Sequence, residues 1–435
     1  MRALKAWTHL ILLAAGLSVA TQQAMGRAEP TETTLMGSLR TAIRSSPRLK
    51  SAQFREEALR EEIRAQKSAY LPEVDAAAVA SQGDPGSFAL FGVDNNFSSS
   101  QRIGAGGALI VKQSLYDFGR TASSVRVAEA QESLQRKRRS IFKAEIARDV
   151  LRTYIQCSFL KAEAVDSRFM AEQAEVIARE VNRFVRSGQR SIIERYLVDA
   201  AAKEAETRSA ELAARVAVTE KRLAIEMGLP AGTATACSPL AVVEAGIQEL
   251  ERRSGPNPFL EEQRAQIATA SSRLERAKAE ARPLLLGVAT GGYWASDRVP
   301  NDKPNYSAGI GISVPLFSGF RIESNVGRET ADLRAEETTL AHRQQSLDAA
   351  GSRFEEETGA LGVRLEFLRS EKTLAKSAFD LARKRYLGFQ GTMIDLRETM
   401  RNLGRVLDSA SLAYHDLFAA RGEKALVIDG AEITE

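Results

Sequence analysis

From Arg120 to Ser187 the chain contains neither proline nor glycine. Proline costs a helix interior about 3 kcal/mol and glycine about 1 kcal/mol, so this stretch is free to run as one helix. At 1.5 Å per residue it would reach about 100 Å, longer than any compact globule needs. The prolines as a set agree. None lies between Pro85 and Pro230, and none follows Pro315. Two windows are therefore open to very long helices, one in each half of the chain.

The halves are related. Ser46-Pro47-Arg48-Leu49 and Pro72 recur as Asn257-Pro258-Phe259-Leu260 and Pro283, both prolines shifted by 211 positions. Ser114-Leu115-Tyr116-Asp117-Phe118-Gly119-Arg120 recurs loosely as Pro315-Leu316-Phe317-Ser318-Gly319-Phe320-Arg321, shifted by 201. The drop places a loss of about ten residues between these markers, where the Gly/Ser/Asn-rich stretch from Ser81 to Gln101 is matched only by Ser296 to Asn305. A repeat of this kind governs the reading of everything else.

Each half reads in one order. A moderate helix comes first, about Leu35 to Ala69 and about Pro258 to Ala281. A strand, a loop and a second strand follow, then the long helix, a turn and a returning helix. The second strands alternate with period two. Ile103, Ala105, Gly107, Leu109, Val111 and Gln113 share one face of the first, and Tyr306, Ala308, Ile310, Ile312, Val314 and Leu316 share one face of the second. In the second long helix Leu361, Leu365, Leu368, Lys372, Ala375, Phe379, Ala382 and Tyr386 follow spacings of four and three. A shift of 201 returns Leu160, Ala164, Ser167, Ala171, Ala174, Ala178, Val181 and Val185, the same seam in smaller residues. Such a seven-residue period implies helices wound on neighbours. The turns fall at Ser187-Gly188-Gln189 and Gly388-Phe389-Gln390-Gly391. The first returning helix stops at Met227-Gly228-Leu229-Pro230.

Arg2 and Lys5 precede an apolar stretch, Leu10 to Ala20, and the small residues Gly26 and Ala28 follow. These are the parts of a secretory signal peptide, with cleavage expected after Ala28 and no cysteine nearby to acylate. The expected division is a signal peptide over 1–28, a first repeat over 29–230, a connector over 231–256, a second repeat over 257–425 and a tail over 426–435. Export makes a bond between Cys157 and Cys237 chemically possible. Isolated cysteines more often serve as small apolar residues, and spacing does not decide between the two.

Charge excludes other classes. With 60 Lys+Arg against 56 Asp+Glu and a net charge of +4, the mixture suits solvated helix faces, not nucleic-acid binding. The basic run Arg136-Lys137-Arg138-Arg139 is expected to be a surface face. The three histidines, His9, His342 and His415, form no metal-ligand spacing with cysteine or carboxylate. Gly104-x-Gly106-Gly107 lacks a following Gly-Lys-Ser/Thr. No cofactor, metal or catalytic group is expected.

Four amphipathic strands cannot close a barrel alone, but strands pooled from three copies would supply twelve, within the range of outer-membrane barrels. Tyr293, Trp294 and Tyr306, at strand ends, are candidates for an interfacial aromatic belt. Gln113-Ser114-Leu115-Tyr116-Asp117-Phe118-Gly119-Arg120 resembles the strand-to-helix junction of TolC-family outer-membrane factors, as does Val314-Pro315-Leu316-Phe317-Ser318-Gly319 in the second copy. The duplication and element order extend the resemblance over nearly the whole chain beyond the signal peptide.

The resemblance implies an α+β membrane fold: a homotrimer with a 12-stranded outer-membrane β-barrel, four strands per subunit, and a long periplasmic α-helical barrel. It implies a Gram-negative outer-membrane exit channel for type I secretion or multidrug efflux, seated in outer-membrane lipid. A periplasmic adaptor and an inner-membrane ABC or proton-driven transporter would be its partners. At the tip, Arg385-Tyr386-Leu387-Gly388 through Glu398 resembles the family's second hairpin. Asp395 and Glu398 match its periplasmic constriction, and Glu194 is their counterpart in the first hairpin. Tyr386 matches a tip-closing position, with Arg190 or Arg195 as candidate latch cations. Gly188, Gly388 and Gly391 mark the hairpin turns that would meet an adaptor. Two departures stand out: Phe389 occupies a glycine position, and Gly391 occupies a basic one. The alternative is a pore-free periplasmic coiled-coil adaptor or scaffold.

Overall fold

The computed structural model describes residues 31–82, 103–230, 233, 235–296 and 305–433. The expected signal peptide and cleavage site, and most of the first loop, lie outside them. Two compact units are built from both repeats. One comprises residues 1–46, 145–255 and 351–435, and the other residues 47–144 and 256–350.

In the first unit β1 (Thr31–Thr33) leads into α1 (Leu35–Ser45), capped by the Thr34 side chain, which accepts from the Gly37 amide. Pro47 then starts α2 (Pro47–Ser68), which belongs to the second unit. The single helix expected from Leu35 to Ala69 is thus two. Proline removes a donor and pushes its predecessor out of the helical region, and Ser46 sits at φ −63°, ψ 117°. The second copy repeats the device: Asn257, at φ −61°, ψ 119°, precedes Pro258 and caps the helix through its side chain.

The second unit holds the sheet. In chain order β2 (Glu73–Gln82) and β3 (Ile103–Tyr116) are followed, in the second repeat, by β5 (Leu284–Ser296) and β6 (Asn305–Ser313). They lie antiparallel in the order β2-β3-β5-β6. The hairpin registers are equivalent. Glu73 faces Lys112 in the first, and its repeat partners Leu284 and Ser313 face each other in the second. One side of the sheet carries Val74, Leu109, Val111, Ile310 and Ile312. The other carries Asp75, Lys112, Thr290 and Ser307, with Lys112 Nζ 3.5 Å from Asp75 and the last two hydroxyls 2.7 Å apart. β6 ends at Ser313, short of Val314 and Leu316, because Pro315 brings no N–H to the ladder.

After each strand pair the chain turns through two successive left-handed residues. They are Phe118 (φ 52°) and Gly119 (φ 91°) in one copy, Gly319 (φ 62°) and Phe320 (φ 61°) in the other. Phenylalanine and glycine have exchanged places while the backbone has not changed. The long helices α3 (Arg120–Arg186) and α7 (Arg321–Leu387) start immediately after and are 67 residues each. Asp117 caps the first by accepting from the Gly119 amide at 2.9 Å.

The basic run is not a free face. Arg136 pairs with Glu132 at 3.0 Å, Lys137 with Glu261 at 2.9 Å, Arg138 with Glu262 at 3.3 Å and Arg139 with Glu56 at 3.1 Å. Glu56 on α2 and Glu262 on α6 (Pro258–Ala279) are buried, and a buried carboxylate needs such a partner. The run therefore fastens both shorter helices to α3.

The returning helices α4 (Ile192–Glu226) and α8 (Met393–Glu423) complete the first unit, with a connector of β4 (Thr235–Cys237) and α5 (Leu240–Glu251). β4 pairs in parallel with β1. Cys157 and Cys237 form a disulfide across 80 residues, so they are more than small apolar fillers. Lys161 donates to the Cys237 carbonyl at 2.8 Å beside it.

Candidate functional site

The hairpin ends, all within the first unit, bring most of the predicted tip residues together. The heptad seam packs them: Ile177, Ala178 and Val181 on α3 share a core with Ala375, Phe379 and Tyr386 on α7 and with Leu396 and Leu403 on α8.

Both long helices end in the same cap. The Gln189 amide donates to the Phe184 carbonyl at 2.8 Å, and the Gln390 amide to the Arg385 carbonyl at 2.9 Å. This six-to-one bond requires a left-handed residue just before the donor. Gly188 supplies it at φ 74°, and Phe389 at φ 60°. A side chain in that conformation costs about 1–2 kcal/mol. The Phe389 ring offsets much of that cost, lying 4.8 Å from the Phe184 ring and 5.2 Å from the Arg190 guanidinium. Gly391 sits in a tight place: a Cβ there would lie 3.1 Å from the Tyr386 amide nitrogen. At Gly388 it would lie 3.3 Å from the Lys384 carbonyl oxygen.

Tyr386 is fully buried, and its hydroxyl donates to Glu194 Oε2 at 2.7 Å. Burial, followed by this bond and the charge of Glu194, pushes the phenol well above the usual tyrosine range. Arg190 clamps the pair. It stacks 4.5 Å over the Tyr386 ring, donates to the Tyr386 carbonyl at 3.2 Å, and brings Nε to 3.9 Å from Glu194. One link thus ties the end of the second long helix to the start of the first returning helix.

Arg195 stands apart, 3.6 Å from Asp199. Asp395 and Glu398 are exposed. The Asp395 carboxylate accepts from the Thr392 amide at 3.3 Å while the Thr392 hydroxyl accepts from the Asp395 amide at 3.1 Å, a capping box. Glu398 lies 3.5 Å from Arg401. Glu194 and Asp395 are repeat equivalents, each third in its helix, yet one binds a tyrosine and the other caps. The reason lies at Val185, the repeat partner of Tyr386, which has no hydroxyl to offer. Of the proposed belt, Tyr306 is 89% exposed, and Tyr293 pairs in register with Gly107 on the apolar side. Trp294 lies one residue on, opposite Gly106, and its side chain lies outside the described residues.

Sequence reasoning did not find Phe184, Thr392 or the Arg383–Gln173 bond of 2.8 Å between the long helices. Only the Thr-x-x-Asp spacing from Thr392 to Asp395 carried a readable signal.

The family model of the outer membrane efflux proteins matches residues 39–228 and 252–413, both repeats. The chain belongs to the outer membrane efflux protein family. That family comprises outer-membrane transport channels, not enzymes, and membership places the chain in the Gram-negative outer membrane. VceC of Vibrio cholerae is similar in fold at 16% identity, with TM-score 0.73, 92% of this chain and 97% of that one covered. CmeC of Campylobacter jejuni gives 12%, 0.74, 94% and 91%. MtrE of Neisseria gonorrhoeae, described in an open state, gives 17%, 0.69, 90% and 88%. No curated protein matches by sequence. At these identities the neighbours establish the TolC-like fold of this efflux-family chain.

Proposed function

We propose that the chain is the outer-membrane exit duct of a tripartite export system, assembled as a homotrimer. An inner-membrane ABC or proton-driven transporter would supply energy, and a periplasmic adaptor would dock where Gly188, Gly388 and Gly391 form the hairpin turns. One observation carries this reading. The four-stranded sheet is apolar on one side, mixes Asp75, Lys112, Thr290 and Ser307 with Ile110 and Val288 on the other, and has both edges, β2 and β6, unpaired among the described residues. An isolated sheet of this kind would aggregate through its edges, whereas a closed ring of copies satisfies every backbone group in lipid. Tyr293 and Tyr306, which share the apolar side, would sit at the lipid interface.

Asp395 and Glu398, three residues apart on one helical face, would form stacked acidic rings at the periplasmic end. The Tyr386–Glu194–Arg190 link would hold that end closed. The signal peptide expected over residues 1–28 would favour protein secretion or a general-purpose duct over dedicated metal efflux. A pore-free periplasmic scaffold has no use for a two-faced sheet and does not fit the family. Purified protein in a planar bilayer decides: discrete cation-preferring conductance is expected from a trimer. Recovery of the protein as a soluble periplasmic monomer would end the proposal.

A further inference from the structure

The repeat contains more information about the partner than the open edges alone. Two shifts relate the copies in the sheet: 211 positions carry β2 onto β5, and 201 carry β3 onto β6. Applied to the β2–β3 hairpin, they return the observed β5–β6 register residue for residue. The inner seam, β3 against β5, joins the end of one repeat to the start of the next. It pairs Lys112 with Val288, Val111 with Ala289 and Leu109 with Gly291. The outer edges meet the same relation when one copy follows another, since β6 ends a repeat and β2 begins one.

Carrying the inner seam through the same shifts, we infer that β6 of one copy pairs antiparallel with β2 of a second copy, Ser313 opposite Ala77, Ile312 opposite Ala78 and Ile310 opposite Ala80. This rests on the trimeric channel reading and adds the register to it.

The residues that this register brings together fit it. A slip of one residue exchanges the faces of a strand, and in this register they match. Ile310 and Ile312, 73% and 66% exposed in the single chain, meet the exposed Ala80 and Ala78 on the apolar side. Ser313 meets Ala77 on the other. The leucine beyond the strand end also finds a place. In the inner seam Leu115 is skipped between Ser114 and Tyr116 and covers Gly287, where an added Cβ would lie 3.3 Å from it. The repeat partner of Leu115 is Leu316, which is 93% exposed. It lies beyond the end of β6, and in the proposed register it would reach Ala76 of the second copy without extending the ladder.

Cysteine pairs test this in the full-length protein, whose native cysteines are already joined. Ser313→Cys with Ala77→Cys, and Ile312→Cys with Ala78→Cys, are compared with pairs displaced by two residues, Ser313→Cys with Asp75→Cys and Gly311→Cys with Ala77→Cys. Within one chain β2 and β6 are three strand spacings apart, about 14 Å, beyond disulfide reach, so any cross-link joins two copies. Mild oxidation in outer membranes should turn the in-register pairs into covalent dimers and trimers on non-reducing gels. The displaced pairs should react roughly ten-fold less, because two residues move the Cα atoms by about 6.8 Å. Preferential reaction of a displaced pair, or no reaction in protein whose mass is trimeric, overturns the register and leaves the channel reading standing. A monomeric mass overturns both.

Discussion

Gly188 and Phe389 hold the same left-handed position in two equivalent helix caps, at φ 74° and 60°. Glycine does so without strain, and phenylalanine does so because its ring is held by Phe184 and Arg190. Truncation should separate the two effects. Phe389→Ala keeps the strain and loses the ring, whereas Phe389→Gly loses both. The alanine variant should be less stable at the tip than the glycine variant by about 1–2 kcal/mol. Hydrogen exchange of the cap amides from Gly388 to Gln390 measures this, and equal protection in the two variants would discount the strain.

Tyr386→Phe removes the hydroxyl that binds Glu194 and leaves the packing in place. A hydrogen bond to a charged acceptor contributes about 1.5–3 kcal/mol, so the open-to-closed ratio should rise about ten-fold or more. Single-channel recording reads it as longer open times. Arg190→Ala should act in the same direction, and Arg195→Ala, whose guanidinium pairs with Asp199, should leave gating unchanged.

The link should also be indifferent to moderately alkaline pH. The folded phenol titrates above its unfolded value of 10.0, so its contribution is complete below about pH 10 and fades as pH rises beyond that. Conductance of the wild-type protein that opened between pH 7 and 9 through loss of the Tyr386 proton would contradict the burial described above.

Asp395→Asn combined with Glu398→Gln should weaken cation preference and block by divalent cations. The change in permeability ratio should be at least about two-fold at low salt, where a Debye length of about 30 Å leaves exposed charges unscreened. Asn keeps an acceptor for the Thr392 amide, so the cap should survive. Unchanged selectivity would remove both residues from the constriction.

Cys157→Ser with Cys237→Ser should lower stability by up to about 4.5 kcal/mol, given a closed loop of 80 residues. Thermal unfolding with and without reductant checks it. The reduced wild type should match the double variant.

Periodic features were legible in the sequence because each has many residues repeating one message. The seam from Leu361 to Tyr386 and the alternation of β3 and β6 were both of this kind. Pairings across long separations have no such redundancy. Nothing near Arg138 announces Glu262, and nothing near Cys157 announces Cys237. The equivalence of Glu194 and Asp395 was readable, but their different tasks depend on residue 185 being valine where residue 386 is tyrosine. Pro47 shows the opposite failure: its signal was local and plain, and a helical pattern on both sides masked it.

The equal length of α3 and α7 has a consequence for how such a chain can change. Inserting one residue into either helix would rotate everything beyond it by about 100° and advance it by 1.5 Å, turning the buried seam toward water. Whole heptads, about 10 Å each, are the smallest increments that keep the seam facing inward. They must be added to both repeats, and to α4 and α8 as well, or the two caps end at different heights and Tyr386 misses Glu194. The distance such a helix spans is therefore a quantised trait, able to change only by matched steps in four places at once, while the loops beyond the strands drift one residue at a time.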